Sequence, residues 1–377
     1  MSKALAFSSS RQISLAELRW LRMGSQSLFP RRPKGNVLAV IHSLLGVNAQ
    51  LPSAMYLSLR ARVEGITKEE IDDLRISQRL TVRTWCMRDT MHLLAARDVA
   101  WLLSMLPASL VEDGWRWLER RAGLPRVLAR QILDEAWQTL KVNGPLTRSE
   151  LVQALIPQYG QQAKSAAAGI VHLNGLLGRV CFGPDRGADP TYVAMEDWLS
   201  PSLILPCAEN FGELALHYLR GYGPVSVQDF AAWWGSTLSD AKKAWSQMND
   251  ELIYCNFDGQ PLCMTGEPSA DLGSPDPVVR LLPAFDNYYL GYRVRDFAVP
   301  IEHQPRVFHG GEIVPVILLD GSAVGTWHYE RRGRQMRILA RPFTDFVHPI
   351  RELIAEEAAD IGRFYQLKPV LSFQKVW

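Results

Sequence analysis

The sequence predicts an α+β protein that is mostly helical, with three tandem winged-helix units followed by a small β-rich C-terminal unit. Three observations predict it. Amphipathic helices in residues 11–106 are followed by a hairpin pattern. Two later segments each repeat a tight turn, a capped helix, another helix and a hairpin. Beyond residue 278, runs of β-forming residues alternate with hairpin turns.

Length, net charge and cysteine spacing limit the classes of protein to which the chain can belong. The chain has 377 residues and a formal net charge of only +2, and this length predicts roughly two to three domains. Any nucleic-acid surface must therefore come from local clusters of Lys and Arg. The five cysteines are far apart and include no C-x-x-C pair, so we expect reduced thiols and no metal site. With no signal-peptide core and no membrane-spanning apolar run, we expect a cytoplasmic protein without a cofactor.

The first winged helix is predicted at residues 11–106. Ser14 and Glu17 form a capping-box pattern at the start of its first helix. Two runs of β-forming residues flank Met87–Asp89 and predict a hairpin, the wing. Helices are predicted at 14–23, 34–45, 52–63, 67–74 and 95–106, and the strands of the wing at 80–85 and 90–94.

The junction between the second and third of these helices carries the main candidate site. Gly46 can leave helical geometry and Pro52 can open the next helix, so Asn48 and Gln50 bracket Ala49 between two helix ends. A carboxamide can orient a water molecule or bind a developing charge, but it is not a strong base. The alternative is structural, with Asn48 capping the following turn and Gln50 hydrogen-bonding to nearby backbone.

An internal repeat follows a predicted helical connector at residues 107–130. The segments NGPLTRSELVQAL at 143–155 and YGPVSVQDFAAWW at 222–234 share Gly-Pro, an apolar residue, a Ser or Thr cap and an acid three positions later. Each copy continues into a further helix and a hairpin, which predicts winged helices at 131–199 and 207–266. The alternative is a coincidence of common turn and cap chemistry.

Local patterns define the ends of these later elements. The last helix of the first copy is predicted at 162–177, and Ser239 is predicted to cap the last helix of the second. Two-residue hairpin turns are predicted at Asp258-Gly259, Asp320-Gly321 and Arg332-Gly333.

The C-terminal region is predicted as a β-rich unit at 278–345 and a helix with a tail at 346–377. A segment rich in turn formers, Glu267–Val278, marks its boundary. Asp286 within FDNYYLGYRVR is a candidate for an ion pair between units with Arg293 or Arg295, and the default expectation for it is a packing role.

Basic residues form local clusters that are candidates for a nucleic-acid surface. For any one cluster, the alternative is a solvated face. His92, beside Arg88 on the wing, is a polar candidate whose alternative role is structural. The clusters are Arg31, Arg32 and Lys34; Arg116, Arg120, Arg121, Arg126 and Arg130; and Arg331, Arg332, Arg334 and Arg337.

Several segments together resemble one family. No P-loop, dinucleotide fingerprint, nucleophile elbow or H-E-x-x-H motif occurs. The segments VNAQLPSAMYLSLRAR, VRTWCMRDTMHLL, GPVSVQDFAAWWG, LLPAFDNYYLGYR and DGSAVGTWHYERR resemble the AlkZ-like winged-helix DNA glycosylases of bacteria. The resemblance spans roughly Ser14 to Phe343, and its motifs occur in the family's order. It implies tandem winged helices and a catalytic strip of Gln, an aliphatic residue, and Gln or Asp.

The family's catalytic strip corresponds to this chain's NAQ, so the resemblance implies catalysis by Asn48 and Gln50. Asn48 departs from the family's first Gln, because its amide is one methylene, about 1.5 Å, shorter. The implied activity is hydrolysis of the N-glycosidic bond of alkylated purines, including bulky or crosslinked ones, by a monofunctional glycosylase that acts as a monomer on double-stranded DNA at the nucleoid. Arg31, Arg32, Lys34, Arg88, His92, Arg331, Arg332 and Arg334 are the expected DNA-binding residues.

Two other classes of function remain open. A non-catalytic DNA-binding or regulatory protein would keep the winged helices after losing a working amide pair, and the Asn48 departure favours it. A protein-interaction scaffold would fit the near-neutral net charge, and its DNA affinity would be undetectable or insensitive to salt.

Overall fold

The computed structural model describes residues 11–200, 210–248, 252–266, 273–274 and 276–375. Within it the chain forms two compact units. The first unit comprises Met1–Ile71 and Phe211–Trp377, and the second comprises Asp72–Asn210. Most of the predicted boundary segment Glu267–Val278 lies outside the described residues.

The helices mostly follow the apolar periodicity of the sequence, and several begin at the predicted caps. Ser14 caps the first helix in a complete capping box with Glu17. The helices are α1 (Leu15–Ser25), α2 (Val37–Ser43), α3 (Pro52–Arg60), α4 (Lys68–Asp72), α5 (Ala96–Ser104), α6 (Ala108–Arg120), α7 (Arg126–Asn143), α8 (Arg148–Leu176), α9 (Met195–Trp198), α10 (Phe211–Tyr222), α11 (Val227–Trp234), α12 (Leu238–Ser246), α13 (Asn287–Leu290), α14 (Gln304–Val307) and α15 (His348–Tyr365). Within the described ranges, no helix combines the length and the apolar character needed to cross a bilayer.

The strands are short except for one long C-terminal hairpin. They are β1 (Arg11–Gln12), β2 (Val47–Asn48), β3 (Thr81–Trp85), β4 (Met91–Ala95), β5 (Leu146–Thr147), β6 (Val180–Phe182), β7 (Thr191–Ala194), β8 (Leu252–Phe257), β9 (Gln260–Thr265), β10 (Val279–Leu282), β11 (Phe308–His309), β12 (Glu312–Ile313), β13 (Val316–Leu319), β14 (Ser322–Arg332), β15 (Gln335–Pro342) and β16 (Lys368–Phe373).

A five-stranded sheet and one long helix dominate the C-terminal part of the first unit. The strand order is β10-β13-β14-β15-β16. Alternate side chains of the hairpin, including Trp327, Met336 and Ile338, form one buried cluster with Ile354 and Ile361 of α15. The opposite side chains of the hairpin therefore face away from this helix. The tail after α15 contains a strand that was not predicted, β16, which pairs parallel to β15.

Hairpin turns lie at or next to their predicted positions. Asp258-Gly259 and Asp320-Gly321 both have the positive φ angles of a two-residue hairpin turn, as predicted. In the long hairpin, Arg332 pairs with Gln335. The turn is therefore Gly333-Arg334, one residue later than predicted.

The internal repeat is present in the structure. Thr147 and Ser226 both form complete capping boxes at the starts of α8 and α11. Gly144 and Gly223 precede them, and a Cβ at either position would lie within 2.7 Å of a carbonyl of the preceding helix. Both copies therefore need glycine for the same steric reason. Two details differ, because Thr237 rather than Ser239 caps α12, and the predicted helix at 162–177 is the second half of α8 after a break at Gly160.

The second unit is built around a sheet with α6, α7 and α8 packed together. Its strands pair in the order β4-β3-β6-β7-β5. The core contains Trp115 and Leu118 of α6, Ile132 of α7 and Ile170 of α8. The predicted connector at 107–130 is therefore mostly a core helix, because one face of α6 is apolar.

The two compact units do not follow the predicted boundary at residue 106. The wing, β3 and β4, lies in the second unit, although the helices before it lie in the first. Trp85 at the end of β3 contacts the rings of Phe182 and Tyr192, and β3 pairs with β6. The wing thus pairs with the strands of the second predicted winged helix, residues 131–199.

Candidate active site at the Asn48 to Gln50 strip

The strip, defined as Asn48, Ala49 and Gln50, lies in the first unit between α2 and α3. Gly46 has a φ of 111°, which lets the chain leave α2, and Pro52 is the first residue of α3, as predicted. Ala49 is fully buried and Gln50 is exposed. Ala49 is therefore packed in the interior, and the amide of Gln50 lies at the surface.

Asn48 is nearly buried, with 5% of its surface exposed. Its Oδ1 accepts a hydrogen bond from the backbone N–H of Gln50 at 3.2 Å. A backbone N–H can donate only to the oxygen of the Asn48 amide, so this hydrogen bond fixes the orientation of the amide group. Nδ2 therefore points away from the Gln50 backbone. The structural role expected for Asn48 as a cap of the following turn is thus present, and it orients the backbone of Gln50.

A buried network of hydrogen bonds fixes the backbone of the strip. Asn287 Oδ1 accepts from the backbone N–H of Asn48 at 3.2 Å, and Asn287 Nδ2 donates to the Gly46 carbonyl at 2.9 Å. The same Nδ2 lies 2.8 Å from the hydroxyl of Tyr222, which donates to the Leu44 carbonyl at 3.0 Å. Both Asn287 and Tyr222 are buried, so these hydrogen bonds are protected from water. They fix the backbone on which the two amides stand.

A buried ion pair holds the helix that follows the strip. Arg62, just beyond α3, binds Asp286 through two parallel contacts of 2.7 and 2.8 Å, and both side chains are fully buried. Ser58 donates to the same carboxylate at 2.7 Å, and Gln26 accepts from Arg62 at 3.0 Å. Asp286 therefore pairs with Arg62 rather than with the candidate partners Arg293 and Arg295.

Arg31 belongs to a buried ionic cluster rather than to a DNA-binding surface. It pairs with Glu357 and Asp360 of α15, as Arg60 does, and its side chain is 13% exposed. Burial alone would raise the pKa of Glu357, but Arg60, Arg31 and Arg280 lower it to about 2. Glu357 and Asp360 both pair with Arg31, so Arg31 is not available to DNA phosphates. This corrects its predicted role.

The rest of that basic cluster is at the surface. Arg32 is exposed and donates to Ser27 Oγ at 3.3 Å. Lys34 is exposed and pairs with Glu70 at 2.8 Å. An exposed pair of this kind is weak, because water and salt screen it. Arg32 and Lys34 can therefore exchange these partners for phosphates.

On the wing, in the second unit, the two predicted DNA-binding residues differ. His92 is 3% exposed and contacts the Thr90 carbonyl through Nδ1 at 3.0 Å. Burial, and then the positive charge of Arg88, lower the pKa of His92 to about 3. His92 is thus uncharged and enclosed, which corrects its predicted DNA contact. Arg88 is half-buried in the turn, with a φ of 54°, and stays a candidate.

The predicted basic tip is present at the end of the long hairpin. Arg331, Arg332 and Arg334 are all exposed. Arg332 pairs with Glu330 at 2.9 Å in an exposed contact. The tip therefore carries a net positive charge that solvent reaches.

The sequence alone did not identify Asn287 or Tyr222 as supports of the strip. The FDN segment and the Gly-Pro repeat were visible, but their contact with residues 44–48 depends on the tertiary fold. No cluster of three or more His, Cys, Asp or Glu side chains with metal-binding geometry occurs in the described part of the chain.

Three comparisons bear on the site. A family model described as DNA glycosylase AlkZ-like matches residues 41–364, a range that includes the strip, Tyr222 and Asn287. The interstrand DNA cross-link repair glycosylase of Streptomyces sahachiroi is 27% identical over 362 residues, covering 91% of this chain and 94% of that protein. The solved structure of the Streptomyces sahachiroi DNA glycosylase AlkZ has a TM-score of 0.78 at 24% identity, covering 96% of this chain and 100% of that one. This likeness shows that the two proteins share a fold.

Proposed function

The chain belongs to the family of AlkZ-like DNA glycosylases, and on that premise we propose that it hydrolyses the N-glycosidic bond of N7-alkylated purines in double-stranded DNA. The observation that carries the proposal is the strip itself. An exposed amide, Gln50, follows an anchored amide, Asn48, on a backbone that a buried network fixes.

Neutral amides suit this reaction because the substrate supplies the charge. Alkylation at N7 makes a purine cationic, so the base leaves without a proton from a strong acid, and the sugar passes through an oxocarbenium-like state. The catalyst then needs to position a water molecule and stabilise a developing positive charge. Amide oxygens can do both. A cationic base also pairs poorly, which lowers the cost of exposing it.

We assign different tasks to the two amides. Gln50 is exposed, and we assign its side chain to hold the attacking water. Asn48 Oδ1 already accepts a hydrogen bond from the backbone N–H of Gln50, so we assign Asn48 mainly to orienting Gln50. Its Nδ2 faces away from that contact. Because Asn48 is shorter than the family's Gln, we expect a slower reaction or a different preferred lesion.

DNA phosphates are assigned to the exposed basic residues that the described chain offers. Arg331, Arg332 and Arg334 form the hairpin tip, and Arg32 and Lys34 lie before α2. Such contacts position the duplex without reading its sequence. The similar Streptomyces protein is named for interstrand cross-links, and we extend the proposal to bulky or crosslinked purines, processed by a monomer at the nucleoid.

A second candidate function is a DNA-binding protein without glycosylase activity. The engagement of Asn48 Oδ1 by the Gln50 backbone favours it, because that lone pair is then directed away from a substrate. Both candidates predict DNA binding that weakens as salt rises.

Release of free base separates the two candidates. A duplex containing N7-methylguanine is incubated with wild type and with Asn48→Gln, and the freed base is quantified. The glycosylase proposal predicts release by wild type and faster release by Asn48→Gln, by up to about a hundredfold if the shorter amide is misplaced by about 1 Å. No release by wild type, together with salt-dependent DNA binding, would support the non-catalytic protein.

A further inference from the structure

The long hairpin carries positive charge well beyond its tip. On β15, Met336, Ile338 and Ala340 are buried toward α15, so the alternate residues Arg337 and Arg341 face outward and are exposed. Lys368, opposite Gln335 on β16, is also exposed. Basic side chains therefore lie on the outer face of this sheet from the tip to its far end, together with one glutamate, Glu330, opposite Arg337.

A cavity lies at the far end of this face, at the base of the hairpin. It has a volume of about 220 Å³, and none of its seven lining residues is acidic. Arg306, Arg341 and Lys375 line it, together with the hydroxyl-bearing Thr326. We call it the root pocket. One water molecule needs only about 10–15 Å³ of such space, so the root pocket has room for a larger polar group.

Two of the three cations are held in place by neighbours that leave their charge uncompensated. Arg341 Nε donates to Gln374 Oε1 at 3.1 Å, which orients the guanidinium plane. The guanidinium of Arg306 lies 5.6 Å from the centre of the Phe343 ring, a cation–π distance. These contacts reduce the freedom that each side chain would lose on binding an anion.

Several exposed arginines of the chain, unlike the cations of the root pocket, have an acidic partner. Arg11, Arg126 and Arg332 each pair with a glutamate within 2.9 Å. Within the described residues, Arg306, Arg341 and Lys375 form no ion pair, and their convergence on one cavity without an acidic lining residue points to an anionic ligand.

We propose that the root pocket binds a backbone phosphate of the same DNA that contacts the hairpin tip. This inference rests on the proposed function and adds a second phosphate site to it. The tip pair Arg332–Gln335 and the pair Thr326–Arg341 are six residues apart along the hairpin. At about 3.4 Å per residue this is roughly 20 Å, a length along which one strand of duplex DNA presents roughly six phosphates. One duplex can therefore reach both sites.

The salt dependence of DNA binding tests the proposal. Affinity for an undamaged duplex is measured over a range of salt concentrations for wild type, Arg306→Gln/Arg341→Gln, Lys375→Gln and the conservative variant Arg341→Lys. The slope of log affinity against log salt should fall by about one for each phosphate that the protein no longer neutralises. We expect a smaller slope for the double variant and for Lys375→Gln, and a wild-type slope for Arg341→Lys.

The matched control is Arg11→Gln, an exposed arginine of the same unit that pairs with Glu17. It should keep the wild-type slope. Lys375→Gln guards against misfolding of the double variant, because it removes one cation near the chain end. If Arg306→Gln/Arg341→Gln and Lys375→Gln both keep the wild-type salt slope, the root pocket does not bind a phosphate. This holds even if wild type binds DNA and releases base. Absence of DNA binding by wild type would overturn the proposed function as well.

Discussion

Asn287 Oδ1 accepts a hydrogen bond from the backbone N–H of Asn48 at 3.2 Å, across 239 positions of sequence. Asn287 Nδ2 meanwhile donates to the Gly46 carbonyl. One side chain thus bridges both ends of the segment that delivers the strip. The geometry of the two amides therefore depends on a buried residue from a distant part of the sequence.

Replacing Asn287 should slow base release more than it weakens DNA binding. Asn287→Ala removes the bridge and leaves buried polar groups unpaired, at about 1–3 kcal/mol each. A shift of the strip by about 1 Å costs about a hundredfold in rate. Asn287→Asp keeps the acceptor for Asn48 but loses both donated hydrogen bonds, so its rate should lie between those of wild type and Asn287→Ala. The checks are single-turnover rates and DNA affinity. Wild-type rates in both folded variants would contradict a positioning role.

Breaking the Arg62–Asp286 pair should destabilise the first unit strongly. Asp286→Asn leaves a buried guanidinium uncompensated, and such a loss costs about 3–5 kcal/mol. Urea denaturation measures it, with Glu112→Gln as the control, because Glu112 belongs to an exposed pair with Arg126. The control should denature at the wild-type urea concentration. If Asp286→Asn also denatures near the wild-type urea concentration, the buried pair contributes little to the stability of the protein.

The ionic cluster around Glu357 should stabilise the protein in a pH-dependent way. The pKa of this carboxyl falls from 4.5 to about 2 on folding, so the unfolded chain takes up the proton first as pH falls. The stabilisation is therefore complete above about pH 5 and is lost between about pH 4.5 and 2. It is on the order of 3 kcal/mol. The free-energy difference between wild type and Glu357→Gln should shrink when unfolding is measured at pH 3 instead of pH 7. The same free-energy difference at pH 3 and pH 7 would contradict the lowered pKa of Glu357 in the folded protein.

His92 should affect stability in mild acid and leave DNA binding unchanged. Its pKa of about 3 in the folded state lies below its usual 6.5, so the unfolded chain gains the proton first below pH 6.5. Between pH 6.5 and 5 wild type should lose about 2 kcal/mol that His92→Phe does not lose. DNA affinity at pH 7 should match between the two proteins. A weaker complex for His92→Phe would restore the DNA contact expected from the sequence.

Local features of the fold were predictable because they depend on a few consecutive residues. The capping boxes at Ser14 and Thr147 and the turn at Asp320-Gly321 are each set by two to four neighbours. Pro52 likewise marks the start of α3. These elements place the strip between two helix ends, so its location was visible in the sequence.

The parts that the sequence did not reveal are contacts between distant segments. Arg31 looked like a surface cation, and only the approach of Glu357 from α15 places it inside. The helix α6 looked like a connector, because its packing partners come from later helices. Asn287 looked like one polar residue in an aromatic segment. For all three residues or elements, the partner lies too far along the chain for any periodicity to show it.

The central claim is that the strip catalyses hydrolysis through Gln50, and the single-turnover release of N7-methylguanine by Gln50→Ala tests it most directly. Gln161→Ala, an exposed glutamine outside the site, is the matched control. We expect release by Gln50→Ala to fall about a hundredfold or more, with the salt dependence of DNA binding and the thermal midpoint unchanged. Equal rates for Gln50→Ala, Gln161→Ala and wild type would contradict the claim.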